Sequence, residues 1–335
     1  MRTVPHGGEP AGLLTRAPDA PRPLIDLSTG INPWPYPVGE VAPEVWQRLP
    51  RQADTTAARA ALGAYLGLTD PDAHLALVPG SESAIQRLPE VIAPTRVAVL
   101  APSYASHAAA WAAAGHAVTG LSAAALGNSD APVIVLANPN NPDGTAFAAA
   151  DLRTLAERLA ARGGLLVVDE AFADLTPAQS LAAEAPNLGA VVLRSFGKFF
   201  GLAGLRAGAV AGPPALLRRL EARMGAWPVS GPALAVLARA YRDTTWIAAT
   251  RARLADAAAA LDADLGAAGL AVRGGTDLFR LVESAAAPAV QAALERHGIA
   301  ARAFETHPTW LRLGLPADTA ARRRLQSALK EIDTT

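Results

Sequence analysis

The sequence predicts an α/β fold: a large domain built on a mostly parallel sheet flanked by helices, followed by a smaller α+β domain. From residue 53 onward, short apolar runs alternate with helical stretches, which favours parallel strands joined by helical crossovers. After about residue 270 the order changes to strand, helix, strand, strand, helix. Residues 1–45 are rich in Pro and Gly and do not suit a regular helix. We therefore expect an N-terminal arm packing on the body over residues 1–45, a large domain over 46–225 and a small C-terminal domain over 226–335.

The individual elements follow from the same patterns. In the large domain the expected strands cover residues 75–78, 97–101, 133–137, 165–169 and 190–194. The helices among them cover residues 54–66, 81–92, 104–114 and 148–162. An apolar run at 207–211 follows too soon for a helical crossover, which favours an antiparallel strand. Further helices are expected at 214–224, 231–241 and 245–267, and the small domain adds strands at 276–283, 299–304 and 310–314 and helices at 286–297 and 317–331.

Composition and charge exclude several classes of protein. The 30 basic and 30 acidic residues give a formal net charge of zero, so no basic excess points to a nucleic-acid or membrane partner. The chain contains no cysteine, which excludes disulfides and thiolate chemistry. Its apolar runs are too short to cross a bilayer, and residues 1–10 lack the apolar core of a secretory signal. These features together favour a cytoplasmic enzyme. The six histidines show no metal-ligand spacing, so we expect no metal site.

Polar and aromatic residues follow five of the expected strands, at the point where each strand ends. In open α/β sheets ligands bind outside the carboxyl ends of the strands, so these residues mark a candidate site. They are Gly80, Ser81 and Glu82 after the first strand, Tyr104 after the second, Asn141 after the third, Asp169 at the end of the fourth, and Ser195 and Lys198 after the fifth.

Lys198 is the strongest single candidate among these residues. The chain has two lysines, and Lys330 lies in a charged C-terminal helix where solvation is expected. Lys198 stands between glycine and aromatic residues, and burial makes a lysine amine a usable nucleophile for a carbonyl. Arg206 follows eight residues later and offers a planar charge that suits a phosphate.

The other segments each have an ordinary structural interpretation beside the functional one. The glycine turn at Gly80 either binds an anion or simply opens a capped helix. Asn141 lies in an Asn-, Pro- and Gly-rich segment typical of a turn, and Tyr104 either stacks on a ligand or packs. Asp169 is either a helix cap or the partner of a buried cation such as a protonated pyridine nitrogen.

Together these residues resemble the fold-type-I family of pyridoxal-phosphate enzymes, from about residue 25 to the C-terminus. The family's Ser-x-x-Lys segment with an arginine eight residues later matches Ser195, Lys198 and Arg206. The resemblance implies pyridoxal phosphate as cofactor, held as a Schiff base by Lys198, with Arg206 at its phosphate. It also implies Asn141 at the cofactor's 3-hydroxyl and Asp169 at its pyridine nitrogen. The expected cofactor site is completed by Gly80, Ser81, Glu82 and Tyr104, and the expected catalytic residues are Lys198, Asp169 and Tyr104.

Within this family the chain is similar to histidinol-phosphate aminotransferases and, in its arm, to the threonine-phosphate decarboxylases of cobalamin biosynthesis. The arm segments that carry the second resemblance are His6-Gly7-Gly8 and residues 26–37, DLSTGINPWPYP. This resemblance implies decarboxylation of a small phosphorylated amino acid, L-threonine O-3-phosphate. The implied substrate-binding residues are Arg312 for the carboxylate, in Trp-Leu-Arg-Leu, and Arg302 with His6, Gly7 and Asn32 in the arm.

The expected cofactor residues do not distinguish decarboxylation from transamination. The same side chains serve release of carbon dioxide from Cα and movement of the Cα proton. A histidinol-phosphate-type aminotransferase is therefore an alternative. A second alternative is a non-catalytic protein of this fold that binds or regulates.

Two positions depart from the family pattern. Many relatives carry tyrosine where Phe172 stands, so Asn141 would bind the 3-hydroxyl alone. Relatives also have an aromatic-proline pair whose tyrosine reaches the neighbouring subunit's cofactor phosphate, and Leu49-Pro50 occupies the matching place. The family resemblance still implies a homodimer.

Overall fold

The computed structural model describes residues 7–331 of the chain, which form two compact units. The large unit comprises Tyr36–Asn141 and Thr145–Ile247. The small unit comprises the described chain up to Pro35, the short segment Pro142–Gly144 and the chain from Ala248 onward. The helices formed by residues 7–331 are each too short or too polar to span a bilayer.

Short strands and helices alternate along most of the chain. The strands are β1 (Ile25–Asp26), β2 (Leu75–Val78), β3 (Arg96–Leu100), β4 (Ala117–Leu121), β5 (Val133–Ala137), β6 (Leu165–Asp169), β7 (Val191–Ser195), β8 (Gly208–Ala211), β9 (Val272–Thr276), β10 (Phe279–Glu283), β11 (Ile299–Ala300), β12 (Arg302–Phe304) and β13 (His307–Gly314). The helices are α1 (Pro43–Gln47), α2 (Gln52–Leu66), α3 (Pro71–His74), α4 (Ser81–Arg87), α5 (Ala105–Ala113), α6 (Ala149–Ala160), α7 (Pro214–Met224), α8 (Gly231–Ala240), α9 (Thr244–Ala267), α10 (Ala287–Arg296) and α11 (Thr319–Lys330).

The large unit is built on a seven-stranded sheet in the order β2-β8-β7-β6-β5-β3-β4. β8 runs antiparallel to both of its neighbours, and the other pairs are parallel. The antiparallel strand expected at residues 207–211 is thus confirmed. Because β8 alone is reversed in this sheet, the carboxyl ends of β2, β3, β5, β6 and β7 lie along one edge, as the sequence predicts.

Burial explains the composition of the central strands. Every residue of β5 and β7 is buried, which is the pattern of a parallel sheet covered by helices on both faces. The apolar runs in the sequence are therefore continuous rather than alternating. They carry a core that includes Val135, Val167 and Leu193, with Trp111 of α5 packed into it.

The start of α2 is held by a charged side chain. Asp54 accepts a hydrogen bond from the Arg51 backbone N–H at 2.8 Å and forms an ion pair with Arg48 at 2.5 Å. The hydrogen bond from Arg48 and the bond from the Arg51 backbone lower the pKa of Asp54 to about 2. The carboxylate therefore stays charged over the ordinary pH range and caps the helix.

The structure departs from the sequence prediction at the sheet edge and at one helix end. β4 is absent from the prediction because it is an exposed edge strand, Ala-Val-Thr-Gly-Leu, without a continuous apolar run. The helix expected at 81–92 ends at Arg87, and a short 3-10 turn, Pro89–Val91, follows. Pro89 has no N–H to continue the α-helical bonding.

The small unit contains an antiparallel sheet in the order β12-β13-β10-β9 and a short parallel pair, β1 with β11. The single strand expected at 276–283 is wrong: the chain turns at Asp277 and Leu278, and β9 and β10 form a hairpin. The sequence pattern does not indicate β9, because this strand contains Gly274 and Gly275 and glycine lowers strand propensity. The strand expected at 299–304 likewise divides into β11 and β12, which pair with different strands.

Candidate functional site

Asp169 lies at the carboxyl edge of the large sheet, and its two carboxylate oxygens each have a partner. It ends β6, with Ala137 of β5 and Leu193 of β7 as its neighbours across the sheet. Its Oδ1 accepts a hydrogen bond from the Ala171 backbone N–H at 3.0 Å, and its Oδ2 lies 2.9 Å from Nε2 of His107. The carboxylate is buried and has a fixed direction.

His107 is the functional candidate that sequence patterns do not identify. It lies on α5, where it is buried. Its ring nitrogen is nevertheless paired with Asp169 across 62 positions of sequence. The sequence does place His107 in the helix that follows β3, one of the strands whose ends mark the site. It gives no distance between α5 and β6, so the contact with Asp169 cannot be read from it.

Lys198 follows β7 in a segment whose flanks are tightly packed. Phe196, Phe199 and Phe200 are buried, and the rings of Phe196 and Phe200 are stacked with their centroids 4.5 Å apart. The Phe200 carbonyl also accepts a hydrogen bond from the Tyr36 backbone N–H at 2.9 Å. Lys198 itself is half-buried, as the sequence predicts for a poorly solvated segment.

The Lys198 side chain extends towards one of the two positions that depart from the family pattern. Its Nζ lies 6.0 Å from the centre of the Phe172 ring, and Phe172 is buried just beyond the end of β6. Phe172 therefore supplies an apolar wall beside the amine and cannot donate a hydrogen bond. The last buried residue of β7, Ser195, comes three positions before Lys198.

Arg206 and the Gly80 turn lie together, as expected for an anion site. A Cβ built on Gly80 would lie 2.8 Å from Nη2 of Arg206, so the guanidinium occupies the space that a side chain would fill. Gly80 has φ +80°, a conformation that favours glycine. Arg206 itself has φ 51° and is exposed, with Nη1 donating to the Ala203 carbonyl at 3.2 Å. The exposed charge is available beside Gly80 and Ser81, the residues that open α4.

Glu82 and Tyr104 form a pair at the same edge. The Tyr104 hydroxyl donates to Oε2 of Glu82 at 3.0 Å, while Oε1 accepts from Nε2 of Gln86 at 2.8 Å. Burial raises the pKa of Tyr104, and the Glu82 carboxylate adds to this, so the phenol stays neutral. The Glu82 carboxylate would repel a phosphate. If Glu82 contacts the cofactor phosphate directly, it would therefore do so through its backbone N–H.

Asn141 lies in a turn that hydrogen bonds hold in shape. Asn138 accepts from the Phe147 backbone N–H at 2.8 Å, and the Asn140 backbone N–H donates to Thr145 at 2.8 Å. Asn140 also accepts from the Ser103 hydroxyl at 2.6 Å, which joins this turn to the one before Tyr104. The turn interpretation of this segment is confirmed, and Asn141 stays the expected partner of a ring oxygen.

A buried ionic network includes Glu170, the residue that follows Asp169. Sequence patterns do not identify this network either. Arg194 of β7 donates to Glu170 at 2.9 Å and also binds Asp174. All three residues are buried. Burial by itself would lower the pKa of Arg194, but the Asp174 and Glu170 carboxylates raise it above its ordinary value. The guanidinium therefore stays charged between the two carboxylates.

The small unit brings together the two arginines expected to bind substrate anions. Arg302 of β12 and Arg312 of β13 are paired directly across the sheet. Arg312 is buried, donates to the Ser28 carbonyl at 2.7 Å and lies 5.2 Å from the centre of the Phe279 ring. Burial lowers the pKa of Arg302, although an arginine remains charged at neutral pH.

The arm residues expected at the substrate lie in this unit as well. A cavity of about 210 Å³ is lined by Arg302, Gly7 and Ser28 together with Arg16 and Glu295. Asn32 is buried, and its Oδ1 accepts from the Trp34 backbone N–H at 2.9 Å, so its side chain shapes the arm locally. His6 lies outside the described residues, so its expected role stays a prediction.

The residues in the large unit fit pyridoxal phosphate. A buried, oriented carboxylate at Asp169 suits a protonated pyridine nitrogen. The Arg206 guanidinium beside the Gly80 turn suits a phosphate, since arginine binds phosphate oxygens in pairs. The half-buried amine of Lys198 against Phe172 suits covalent attachment to an aldehyde.

Comparison with known proteins gives a consistent result. The model of the aminotransferase class I and II family matches residues 40–329. The chain is 42% identical to a threonine-phosphate decarboxylase from Sinorhizobium sp. over 98% of each chain, and 43% identical to one from Pseudomonas aeruginosa over 91% of each chain. A crystal structure of histidinol-phosphate aminotransferase from Sinorhizobium meliloti with pyridoxal-5'-phosphate matches with a TM-score of 0.82 at 21% identity, covering 98% of this chain and 95% of that one. The fold expected from the sequence resemblance is confirmed.

Proposed function

The chain belongs to the aminotransferase class I and II family, and on this basis we propose that it is a pyridoxal-phosphate-dependent decarboxylase. Its substrate is L-threonine O-3-phosphate, and its products are carbon dioxide and (R)-1-amino-2-propanol O-2-phosphate, for cobalamin biosynthesis. The observation that carries this proposal is the identity, over nearly the whole length, to two threonine-phosphate decarboxylases. The residues in both units support it.

The large unit supplies the residues that would hold the cofactor. Arg206 and the Gly80-Ser81 turn would bind its phosphate, Asn141 its 3-hydroxyl and Asp169 its pyridine nitrogen. When bound, pyridoxal phosphate supplies an aldehyde for the substrate amine and a conjugated ring that accepts electrons from the bond broken at Cα. Asp169 would strengthen that effect, because its buried carboxylate would favour a positive charge on the ring nitrogen, and His107 fixes the direction of the carboxylate.

Lys198 performs two tasks in this proposal. Its ε-amine would hold the cofactor covalently through the cofactor's aldehyde. Its Nζ lies 6.0 Å from the centre of the apolar Phe172 ring. A group that loses and gains a proton in this place is suited to act at Cα after carbon dioxide has left.

The small unit supplies the charges that would orient the substrate. Arg312 would bind the carboxylate, and Arg302 with the Gly7 end of the arm would bind the phosphate. The two arginines are neighbours on adjacent strands, and Arg–carboxylate and Arg–phosphate pairs are strong and directional. Two anchored anions leave the amino acid little rotational freedom, so the bond at Cα that breaks is set by how these groups are held.

The deciding experiment follows both products in the absence of a keto acid. Purified, cofactor-loaded enzyme is incubated with L-threonine O-3-phosphate, and carbon dioxide and aminopropanol phosphate are measured. Catalytic release of both supports the decarboxylase. If neither is released, while L-histidinol phosphate and 2-oxoglutarate yield glutamate, the protein is an aminotransferase and the proposal is wrong.

A pair of lysine variants tests the catalytic assignment. Lys198→Ala should abolish turnover and the visible absorbance band of the bound cofactor, because the covalent attachment is lost. Lys330→Ala is the matched control, since this lysine is exposed at the end of α11. Retained turnover in Lys198→Ala would contradict the assignment, and loss of turnover in both variants would show that the effect is not specific.

We also propose that the enzyme is a homodimer, on the basis of exposed apolar side chains in the large unit. Trp46 is 66% exposed, Leu49 60% and Trp227 57%. α1, which carries Trp46, lies against α8, and Trp227 precedes α8 by four positions. An apolar surface of this kind is typical of a subunit contact. Sedimentation of Trp46→Ser with Trp227→Ser should show monomers, and a native enzyme that is itself monomeric would contradict the proposal.

A further inference from the structure

Ser28, in the arm, connects three parts of the small unit through hydrogen bonds. Its hydroxyl donates to Oδ1 of Asp26 at 2.5 Å and accepts from the Gly8 backbone N–H at 2.9 Å. Its own backbone N–H also donates to Oδ1 of Asp26, at 2.8 Å. Its carbonyl oxygen accepts from Nη2 of Arg312 at 2.7 Å. One residue therefore contacts the start of the described arm, the end of β1 and the arginine of β13.

The backbones around Ser28 are too close to admit larger side chains. A Cβ on Gly7 would overlap the Ser28 carbonyl and lie 2.9 Å from its hydroxyl. Next to Arg312, the Gly314 backbone N–H donates to Leu27 at 2.7 Å, and a Cβ on Gly314 would overlap the Thr29 carbonyl. The arm is thus fixed on both sides of the contact between Ser28 and Arg312.

Asp26 holds Ser28 in place through two hydrogen bonds. An aspartate that accepts from the backbone N–H two positions later forms an Asx turn, which restrains the peptide groups between them. The second bond, from the Ser28 hydroxyl, uses the same oxygen and orients the hydroxyl so that its lone pairs can accept from Gly8. Any residue at position 28 would offer a carbonyl, but the aspartate and the hydroxyl hold the residue that carries it.

We infer that Ser28, held by Asp26, is a positioning residue that orients Arg312 for the substrate carboxylate and ties the Gly7–Gly8 end of the arm to the same site. The inference rests on the proposed function, in which Arg312 binds the carboxylate. It implies that the arm contributes to substrate affinity through the direction of an arginine and not only through its own contacts. Neither Asp26 nor Ser28 takes part in the chemistry.

The variants Ser28→Ala and Asp26→Ala test this inference, and Asp26→Asn is the conservative variant because it keeps an acceptor oxygen. Ser284→Ala is the matched control: its hydroxyl accepts from the Ala286 backbone N–H at 3.1 Å in the same unit, away from the arginine pair. We expect KM for L-threonine O-3-phosphate to rise roughly two- to tenfold in Ser28→Ala, the effect of one neutral hydrogen bond. The rise in Asp26→Ala should be larger, kcat should change less than KM, and Asp26→Asn should stay near the native enzyme.

A second measurement does not depend on turnover. Amide hydrogen exchange of the substrate-free protein reports the Gly8 N–H, which should exchange faster in Ser28→Ala and Asp26→Ala than in Ser284→Ala. The visible absorbance band of the bound cofactor should be the same in all variants, since none of these residues is expected to touch the cofactor.

The outcomes separate this inference from the proposed function. Faster Gly8 exchange with a KM equal to that of Ser284→Ala would overturn the inference, because the arm would be anchored without orienting Arg312. If the native enzyme leaves L-threonine O-3-phosphate intact, the proposed function is wrong. The variants are then compared by titration with L-glutamate, whose carboxylates probe Arg312, and equal affinity in Ser28→Ala, Asp26→Ala and the control would again overturn the inference.

Discussion

Arg194 lies on β7 directly before Ser195 of the candidate cofactor site, and its replacement gives a quantitative test of how that site is supported. Its guanidinium binds Glu170, which follows Asp169 directly, and Asp174. Glu170 in turn accepts from the Ser180 hydroxyl at 2.5 Å and the Leu181 backbone N–H at 2.7 Å. Arg194→Met keeps most of the volume and removes the charge.

The expected cost comes from the two carboxylates that remain. Glu170 and Asp174 have no measurable exposure, so neither can be solvated when the guanidinium is gone. Breaking a buried ion pair by removing one partner costs about 3–5 kcal/mol. With an m value of about 3 kcal/mol/M, the urea midpoint should fall by roughly 1–1.7 M. The same loss should loosen the segment after Asp169 and weaken cofactor binding.

Urea unfolding of the cofactor-free protein, followed by far-UV circular dichroism, measures this cost. Arg96→Met is the matched control, because Arg96 and Asp130 form an exposed ion pair whose loss should change stability by no more than about 0.5 kcal/mol. The combined variant Arg194→Met, Glu170→Gln, Asp174→Asn should recover part of the midpoint, since it leaves no buried charge. A midpoint for Arg194→Met equal to that of Arg96→Met would refute the reasoning.

Three further predictions concern the large unit. His107→Ala removes the hydrogen bond to the buried Asp169, worth about 1.5–3 kcal/mol for a charged acceptor, and should weaken cofactor affinity measurably in a titration by absorbance. The hydrogen bond from Arg48 holds the pKa of Asp54 at about 2, below its value in the unfolded chain. The Asp54 carboxylate therefore stabilises the fold above about pH 4. That contribution should be lost as the pH falls towards 2, and acid unfolding of Asp54→Asn should lack it. Gly80→Ala would place a methyl group against the Arg206 guanidinium at a φ of +80°, and equilibrium dialysis should show weaker cofactor binding.

The large sheet could be predicted from the sequence because its strands are buried on both faces. Continuous apolar runs such as Val133–Ala137 have few other structural interpretations, and turn residues mark their ends. Sequence patterns fail where burial is partial or glycine replaces a side chain. β4 lies at the sheet edge and is mostly exposed, and β9 contains two glycines, so neither has an apolar signature.

In the candidate site, too, the sequence identifies some residues and not others. Lys198, Asp169 and Arg206 are identifiable because their spacing to the strand ends is local in sequence. The contacts that support the site are not local: His107 reaches Asp169 from α5, and Arg194 of β7 binds Glu170 and Asp174, which follow Asp169. A hydrogen bond between residues 62 positions apart leaves no periodicity in the chain, so its geometry has to come from the fold.

This division also explains why the cofactor is easier to infer than the substrate. The residues that match the wider family pattern around the cofactor lie in the large unit, at the ends of strands with strong sequence signals. The residues expected to select the substrate, Arg302, Arg312 and the arm, lie in the small unit on short strands and irregular backbone. Arg312 takes its direction from a backbone carbonyl, which any residue type would provide. On the proposed function, substrate selection depends on how the arm is folded, and substitutions at Asp26 and Ser28 should change it without altering the cofactor site.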